Sequence, residues 1–340
     1  MSLKAPKPTG WRTTHGDMTD EEWALIADLV EPYSSRGKMG RPVKNDRRGV
    51  VDAIFYVAAT GCQWRALPEK YPHWNTVHRY HLTWSRDGTW ERVCDRLRGL
   101  VREKEGREED PSAGVSDARS VRGTSTVGAA TRGHDAGKKV NGRKVFGVVD
   151  TLGLLVAVVT LAASTSDNVG GTAAMERAKP KSSRLSTVFS DGGFKKAFAE
   201  ACKGLGVAVE VVNRIASGRF EVLPRRWVVE RTWSWLMNNR RLQVDYERDP
   251  KVPQGLVWAA HSRQLMRRLT TEWLTSSKSR RRRAGQRQCS NSTPVRGETP
   301  LEQLSQTAGH TAASAYRPKT AGSGPPFPTG YSSVSSYSQD

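Results

Sequence analysis

Near residue 105 the spacing of apolar side chains changes from a helical period to a strand-like one, and that change limits what the chain can fold into. Upstream, Val50, Val51, Ile54, Phe55 and Ala58 recur at helical spacing. Downstream, RKVFGVVD (143–150) and LLVAVVTL (154–161) read as two strands, joined by a hairpin at Thr151-Leu152-Gly153. Two units of different class are therefore expected, over 17–104 and 105–275. The charged segment EKEGREEDPSAG (103–114) links them.

The first unit reads as an all-α helical bundle. Residues 1–16 are polar and expected to be a flexible N-terminus. A helix starts at Thr19, which has capping-box spacing to Glu22, with Met18 and Trp23 placed for a hydrophobic staple. It turns Trp23, Ile26 and Val30 inward and ends before Pro32. After the basic loop RGKMGRP (36–42), a second helix opens near Asn45 or Asp46 and stops at Gly61. Asn75 is expected to cap a third helix, with Val77, Tyr80 and Trp84 inward and His78 and Arg79 nearer the open side. A fourth runs from about Thr89 to Val101 and buries Trp90, Val93 and Leu97. The third helix follows a short connection and could read a DNA major groove in the helix-turn-helix manner. A bundle that only packs or dimerises has the same pattern.

The second unit alternates strands and helices. GVSDA, LSTVFSD (185–191) and VAVEVV (207–212) are strand candidates, and Ser164 to Gly171 reads as a loop. Helices are expected near FKKAFAEACKGLG, over RRWVVERTWSWLMNNRR (225–241), and from Gln254 to Leu274. The order suits an α/β fold, a mixed sheet flanked by helices as in ribonuclease H-like proteins. From 276 the chain is rich in Ser, Thr, Gly, Pro and Gln and lacks spaced apolar residues. The segment 276–340 is therefore expected to be a disordered tail. Its RRRR run (280–283) is suited to phosphate contact, each neutralised phosphate steepening the log–log salt dependence by about 0.9.

The formal net charge of +20 attracts polyanions, nucleic acid first among them. The four cysteines, Cys62, Cys94, Cys202 and Cys289, form no CxxC pair, which argues against a structural zinc site and fits a reducing cytoplasm. MSLKAPKPTG has no apolar signal core. The longest apolar stretch, Leu152 to Ala163, is too short to span a bilayer, so no membrane partner is expected.

Three acids stand where chemistry could be done. Asp117 lies on the first strand of the second unit, Asp191 ends LSTVFSD, and Glu230 lies in the long helix. Val229, Trp233 and Leu236 put Glu230 beside that helix's buried stripe rather than on its open face. A carboxylate buried there needs a partner. Three carboxylates from two strands and a helix make a hard, all-oxygen site suited to Mg²⁺. Two such ions would activate a water or a 3′-hydroxyl and stabilise the leaving oxygen of a phosphodiester. The plainer readings stay open. Glu230 could pair with Arg226 or Arg231, Asp117 could cap a turn, and Asp191 could be a turn residue before Gly192.

These segments resemble bacterial insertion-sequence transposases of the DDE type, in the group named for insertion sequences four and five. The resemblance runs from about 17 to 270. Its amino-terminal part is carried by DEEWALIADLV and by GRPVKNDRRGVVDAIFYVAATGCQWRALPEKYPHWNTVHRYHLTWSRDGTWERV. Its later part is carried by SDARSVRGT, GHDAGKKVNGRKVFGVVDTLGLLVAVVTLAASTSDNVGG, FSDGGF and FEVLPRRWVVERTWSWLMNNRRLQVDYER. It implies a ribonuclease H-like catalytic core with Asp117, Asp191 and Glu230 as catalytic and metal-binding residues. Two Mg²⁺ ions are implied, with Mn²⁺ as a substitute.

The implied reaction cuts element ends and joins the freed 3′-hydroxyl to target DNA. The partners are then double-stranded DNA, as inverted-repeat ends and target, and a second copy of the chain, in a bacterial cytoplasm near the nucleoid. Arg226 is implied to hold phosphate or orient the Glu, and Arg240 and Arg241 to extend the contact. Arg231, Arg79, His78 and Lys144 complete the expected DNA-binding set. Trp233 and Trp235 are expected in the core rather than as stacking platforms.

The chain departs from the family pattern in three places. Asp117-Ala118-Arg119-Ser120-Val121 stands for Asp-Ser-Gln-Ser-Val, Arg143-Lys144-Val145-Phe146 for a stretch with Lys-Arg-His, and Phe194 for Tyr. The alternative reading is a catalytically impaired or domesticated transposase-derived DNA-binding protein.

Overall fold

The computed structural model describes residues 17–30, 46–194, 196–212 and 227–271. The expectations for residues 1–16, for the basic loop 36–42, for Arg226 and for the tail 276–340 lie outside those residues.

Helix α1 is short, Asp20–Ala24, and carries the full capping box: the Thr19 hydroxyl accepts from Glu22 N–H and the Glu22 carboxylate from Thr19 N–H. Met18, Ile26 and Val30 are buried, whereas Trp23 is only partly covered. Helix α2, Arg47–Thr60, is capped by Asp46 and ends at Gly61, whose φ of 72° is the left-handed stop its sequence suggested. Helix α3, Trp74–Arg86, starts earlier than expected. His73 is its cap, its Nδ1 accepting from Asn75 N–H at 3.4 Å, so Asn75 falls inside the first turn. Helix α4, Thr89–Lys104, runs one turn past Val101.

The strands are β1 (Ala113–Gly123), β2 (Gly133–Asp135), β3 (Val140–Asp150), β4 (Leu155–Ala162), β5 (Thr187–Ser190), β6 (Ala208–Val211) and β7 (Val244–Asp245). They form one mixed sheet of order β2-β3-β1-β5-β6, with β4 also paired to β3 and β7 to β1. The β1/β3 and β3/β4 ladders are antiparallel, and the β1/β5 and β5/β6 ladders parallel. The helices of this part are α5 (Asp167–Ala178), α6 (Lys196–Gly204), α7 (Trp227–Met237) and α8 (Lys251–Thr270). Among the described residues no helix is long and apolar enough to cross a membrane.

Helix α5 corrects the expected loop at Ser164 to Gly171. Ser166 caps it, its hydroxyl accepting from Val169 N–H. The paired glycines that read as loop punctuation serve close packing instead. A Cβ on Gly170 would lie 2.2 Å from the Phe146 ring, and one on Gly171 2.4 Å from the Phe194 ring.

Strand alternation sorts the sheet into two faces. Ala118, Phe146, Val148 and Val188 pack with Met175 of α5 and Phe198 of α6. Val115, Val121, Val149 and Phe189 face the other way, into a core shared with Val229 and Trp233 of α7. The same core takes in Val50, Trp84, Trp90 and Leu97 of the amino-terminal helices and Leu256 and Met266 of α8. Helix α8 lies against α3 and α4. Polar clamps fix this junction to the β3–β4 hairpin. Arg102 of α4 pairs with the fully buried Asp150, and Arg98 donates to Leu155 O at 3.1 Å. His261 Nε2 accepts from Leu155 N–H at 3.1 Å.

Candidate active site

Asp117 sits mid-way along β1, and its parity with Val115 turns it toward the α7 face of the sheet. The last β1/β5 pair is Val115 with Phe189. Two residues further along come Asp117, still on β1, and Asp191, one residue past the end of the neighbouring β5. Asp191 closes β5 with a tight turn, its Oδ1 accepting from Gly193 N–H at 2.9 Å.

Helix α7 is pinned over this region by contacts with the sheet. Gly147 of β3 is the register partner of Asp117, and a Cβ there would lie 2.8 Å from Trp233 Cζ2. The glycine therefore makes room for the buried indole. Just before Trp233 in the chain, the Thr232 hydroxyl donates to Gly153 O at 2.8 Å and Arg231 Nη2 to Leu152 O at 3.0 Å. Gly153 has a φ of +82°, and a Cβ on it would press on Thr232 Oγ1 at 2.7 Å. The hairpin turn and the helix thus fix each other.

That docking brings Glu230 and Asp117 to one open cavity of about 670 Å³. Lys138, Arg119, Ser234 and Asn238 also line it. Glu230 is exposed, which corrects the expectation that its carboxylate would be buried beside the apolar stripe. The helix turns Val228, Val229, Thr232, Trp233 and Leu236 inward and leaves Glu230 at the cavity mouth.

As donors, the three carboxylates suit a hard divalent cation. Among the described residues, however, no group of three His, Cys, Asp or Glu side chains is drawn together closely enough to hold a metal ion. What supports the fit is the shared cavity of Asp117 and Glu230, with Asp191 at the end of the strand next to β1.

Several residues expected to bind DNA are placed otherwise. Lys144 is buried, with its ammonium 3.4 Å from Asp135 and 3.3 Å from Asp167 and donating to Thr165 O. Strand β3 turns it inward beside Phe146, so it neutralises carboxylates rather than facing DNA. Arg241 is buried too, paired with Glu247 at 2.7 Å and lying over the rings of Trp64 and Tyr246. Arg231 is sandwiched between Trp227 and Trp235, 4.2 and 4.7 Å from the ring centres. It acts as a brace for α7. His78 is half-buried edge-on to Trp64, and burial lowers its pKa. Arg79 and Arg240 are exposed. Of the two tryptophans, Trp233 is in the core as expected, whereas Trp235 is 40% exposed.

The sequence reading missed Arg143 and Lys138. Arg143 is completely buried, and its guanidinium donates to Asp245, Thr131, Glu247 O and Arg248 O, tying β3 to the chain around β7. The basic pair Arg143-Lys144 leading into an apolar strand was the available signal. For Lys138 the signal was the Gly-Lys-Lys turn before β3.

Two sequence families match the chain. One described as "Putative transposase of IS4/5 family" matches residues 18–94. One described as "Transposase DDE domain" matches residues 108–265. The two matches take in α1 through the first turns of α4, and then the sheet with most of α8. A curated relative, "Uncharacterized protein y4sN" of Sinorhizobium fredii, is 31% identical over 76 residues. The match covers 22% of this chain and 58% of that relative.

Proposed function

The chain belongs to the IS4/5 family of DDE transposases, and from that premise we propose that it cuts the ends of a mobile DNA element and joins them to target DNA. Asp117, Asp191 and Glu230 are the proposed catalytic carboxylates. The observation that carries this reading is the docking of α7 through Trp233 and Gly147, which gives Glu230 and Asp117 a common cavity, with Asp191 at the end of the strand that pairs with β1. A ribonuclease H-like core agrees with the sheet order, in which an antiparallel β4-β3-β1 half continues into a parallel β1-β5-β6 half.

Asp117, Asp191 and Glu230 are the residues that would hold Mg²⁺ or Mn²⁺, one or two ions. When bound, the cation supplies activation of water or a 3′-hydroxyl and charge neutralisation at the phosphate. The chain's own contribution is placement. In this reading strand β1 carries Asp117 and α7 carries Glu230 at one open cavity, which would take the phosphodiester. The excess of positive charge favours double-stranded DNA as the partner, and exposed Arg79 of α3 and Arg240 suit phosphate contact. Pairing two DNA ends in one reaction favours a homodimer in the DNA complex. A bacterial cytoplasmic location near the nucleoid follows from the same reading.

The test is cleavage of a duplex bearing the inverted repeats that flank the gene, in Mg²⁺. Wild type cuts, while Asp117→Ala, Asp191→Ala and Glu230→Ala each bind the duplex without cutting. Cutting by Asp117→Ala at the wild-type rate overturns the assignment.

A further inference from the structure

Lys138 enters the cavity of Asp117 and Glu230 from the turn between β2 and β3. Its Nζ donates to the carbonyl of Ala118 at 2.9 Å, the residue next to Asp117. That stretch of β1 lies beyond its last pairing with β5 at Val115 and before its pairing with β7 at Arg122. Only β3 pairs with it there, so one edge of the strand is open beside the acids.

Several independent features hold the lysine in place. Its backbone N–H donates to Asp135 Oδ1 at 3.0 Å. Asp135 Oδ2 accepts from the Ser120 hydroxyl and faces the Lys144 ammonium at 3.4 Å. Burial favours the neutral acid at Asp135, but the Ser120 hydroxyl, the Lys138 N–H and the Lys144 charge outweigh it and lower its pKa to about 2. Asp135 is thus a permanent anion anchoring the turn. The next residue, Lys139, adopts a φ of 53°, the one positive φ among the described non-glycine residues. That left-handed residue closes the β2–β3 hairpin turn. The Lys138 side chain is largely exposed, and its ammonium rests on the Ala118 carbonyl at the cavity rim.

We propose that Lys138 contacts the scissile phosphate, its ammonium taking a non-bridging oxygen of the phosphodiester beside Asp117. This rests on the catalytic reading of that cavity. The cation does there what the carboxylates cannot: it offsets the negative charge of the incoming phosphate and of the acids that flank it. A preorganised donor at a reacting phosphate is worth roughly 10²- to 10³-fold in rate. Tethering to Ala118 O keeps the ammonium from simply pairing with the surrounding carboxylates. Arg119, on the same rim, is exposed.

The experiment compares full-length wild type, Lys138→Met, Lys138→Arg and Asp117→Ala. Two probes are used: nicking of supercoiled plasmid with Mn²⁺, and binding of a fluorescent 20-base-pair duplex without metal across a salt series. Lys138→Met should lose roughly 10²-fold in nicking and flatten the log–log salt slope by about 0.9. Lys138→Arg should restore the slope and much of the nicking, because it keeps the charge. A lysine serving only the turn would leave the slope unchanged. An unchanged slope in Lys138→Met, or failure of Lys138→Arg to restore it, overturns the proposal. If Asp117→Ala nicks like wild type, the catalytic reading of the cavity fails instead. If Asp117→Ala is inactive and Lys138→Met nicks like wild type, only the role of Lys138 fails.

Discussion

Gly147 and Trp233 interlock: a Cβ on the glycine would lie 2.8 Å from Cζ2 of the indole. Gly147 is also the register partner of Asp117 on β1, and Trp233 is three residues beyond Glu230 on α7. The missing side chain on one strand therefore sets how near a carboxylate of the helix comes to a carboxylate of the neighbouring strand.

Gly147→Ala should destabilise the fold by about 1–3 kcal/mol, the usual range for overpacking a filled core. Urea unfolding measures it. Combining it with Trp233→Leu, which vacates part of the ring volume, should recover some of the loss relative to the sum of the single changes. Strict additivity of the two would mean that the glycine and the indole do not share that space.

Lys144→Met should destabilise by about 3–5 kcal/mol, because it strands the buried Asp135 and removes a partner of Asp167. Lys144→Met with Asp135→Asn should be milder than the single change. A single variant as stable as wild type would show that the carboxylates find other partners.

Arg79 and Arg241 should separate cleanly. Arg79→Ala, at an exposed position, should leave the melting temperature unchanged and lower the salt slope of DNA binding by about 0.9 if one phosphate contact is lost. Arg241→Ala removes the partner of the buried Glu247 and should cost about 3–5 kcal/mol of stability. A melting temperature unchanged by Arg241→Ala would contradict its interior role.

Two buried imidazoles give an acid-side prediction. Burial drives the pKa of His81 down to about 4 and that of His261 down to about 3, from an ordinary 6.5. The folded state then binds fewer protons than the unfolded chain. The stability linked to these groups is complete above pH 6.5 and declines as pH falls below it, through about 4 and about 3. Their NMR ring resonances should not titrate between about pH 8 and 5.5. His261→Phe should remove part of the acid-side loss, at the expense of leaving Leu155 N–H without its acceptor. A midpoint near 6.5 for either ring would refute this.

Adding Mg²⁺ should raise the melting temperature of wild type and leave that of Asp117→Ala unchanged, since a ligand that binds only the folded state stabilises it by mass action. Removing the ion with a chelator should reverse the shift. Equal shifts in both proteins would place the binding elsewhere.

Local rules written in the sequence account for much of this fold. The Thr19 capping box, the stop at Gly61, the hairpin turn at Gly153 and the switch to strand periodicity each depend on a few neighbouring residues, and each is present. Position along the chain also identified Asp117 as a strand residue and Glu230 as a helical one, whereas Asp191, expected to end its strand, falls just past the end of β5. Tertiary packing decided the rest. Glycine is ambiguous on its own: at Gly170 and Gly171 it read as loop, and only the rings of Phe146 and Phe194 show that it serves a close-packed helix. Charge is ambiguous in the same way. Lys144, Arg143 and Arg241 look like DNA contacts or nothing in particular until the sheet turns them inward, where desolvation leaves them bound to buried carboxylates and carbonyls. The placement of Lys138 beside Asp117, far along the chain from Glu230, arises only when the turn, the strand and the helix meet, because no local rule links residues so separated.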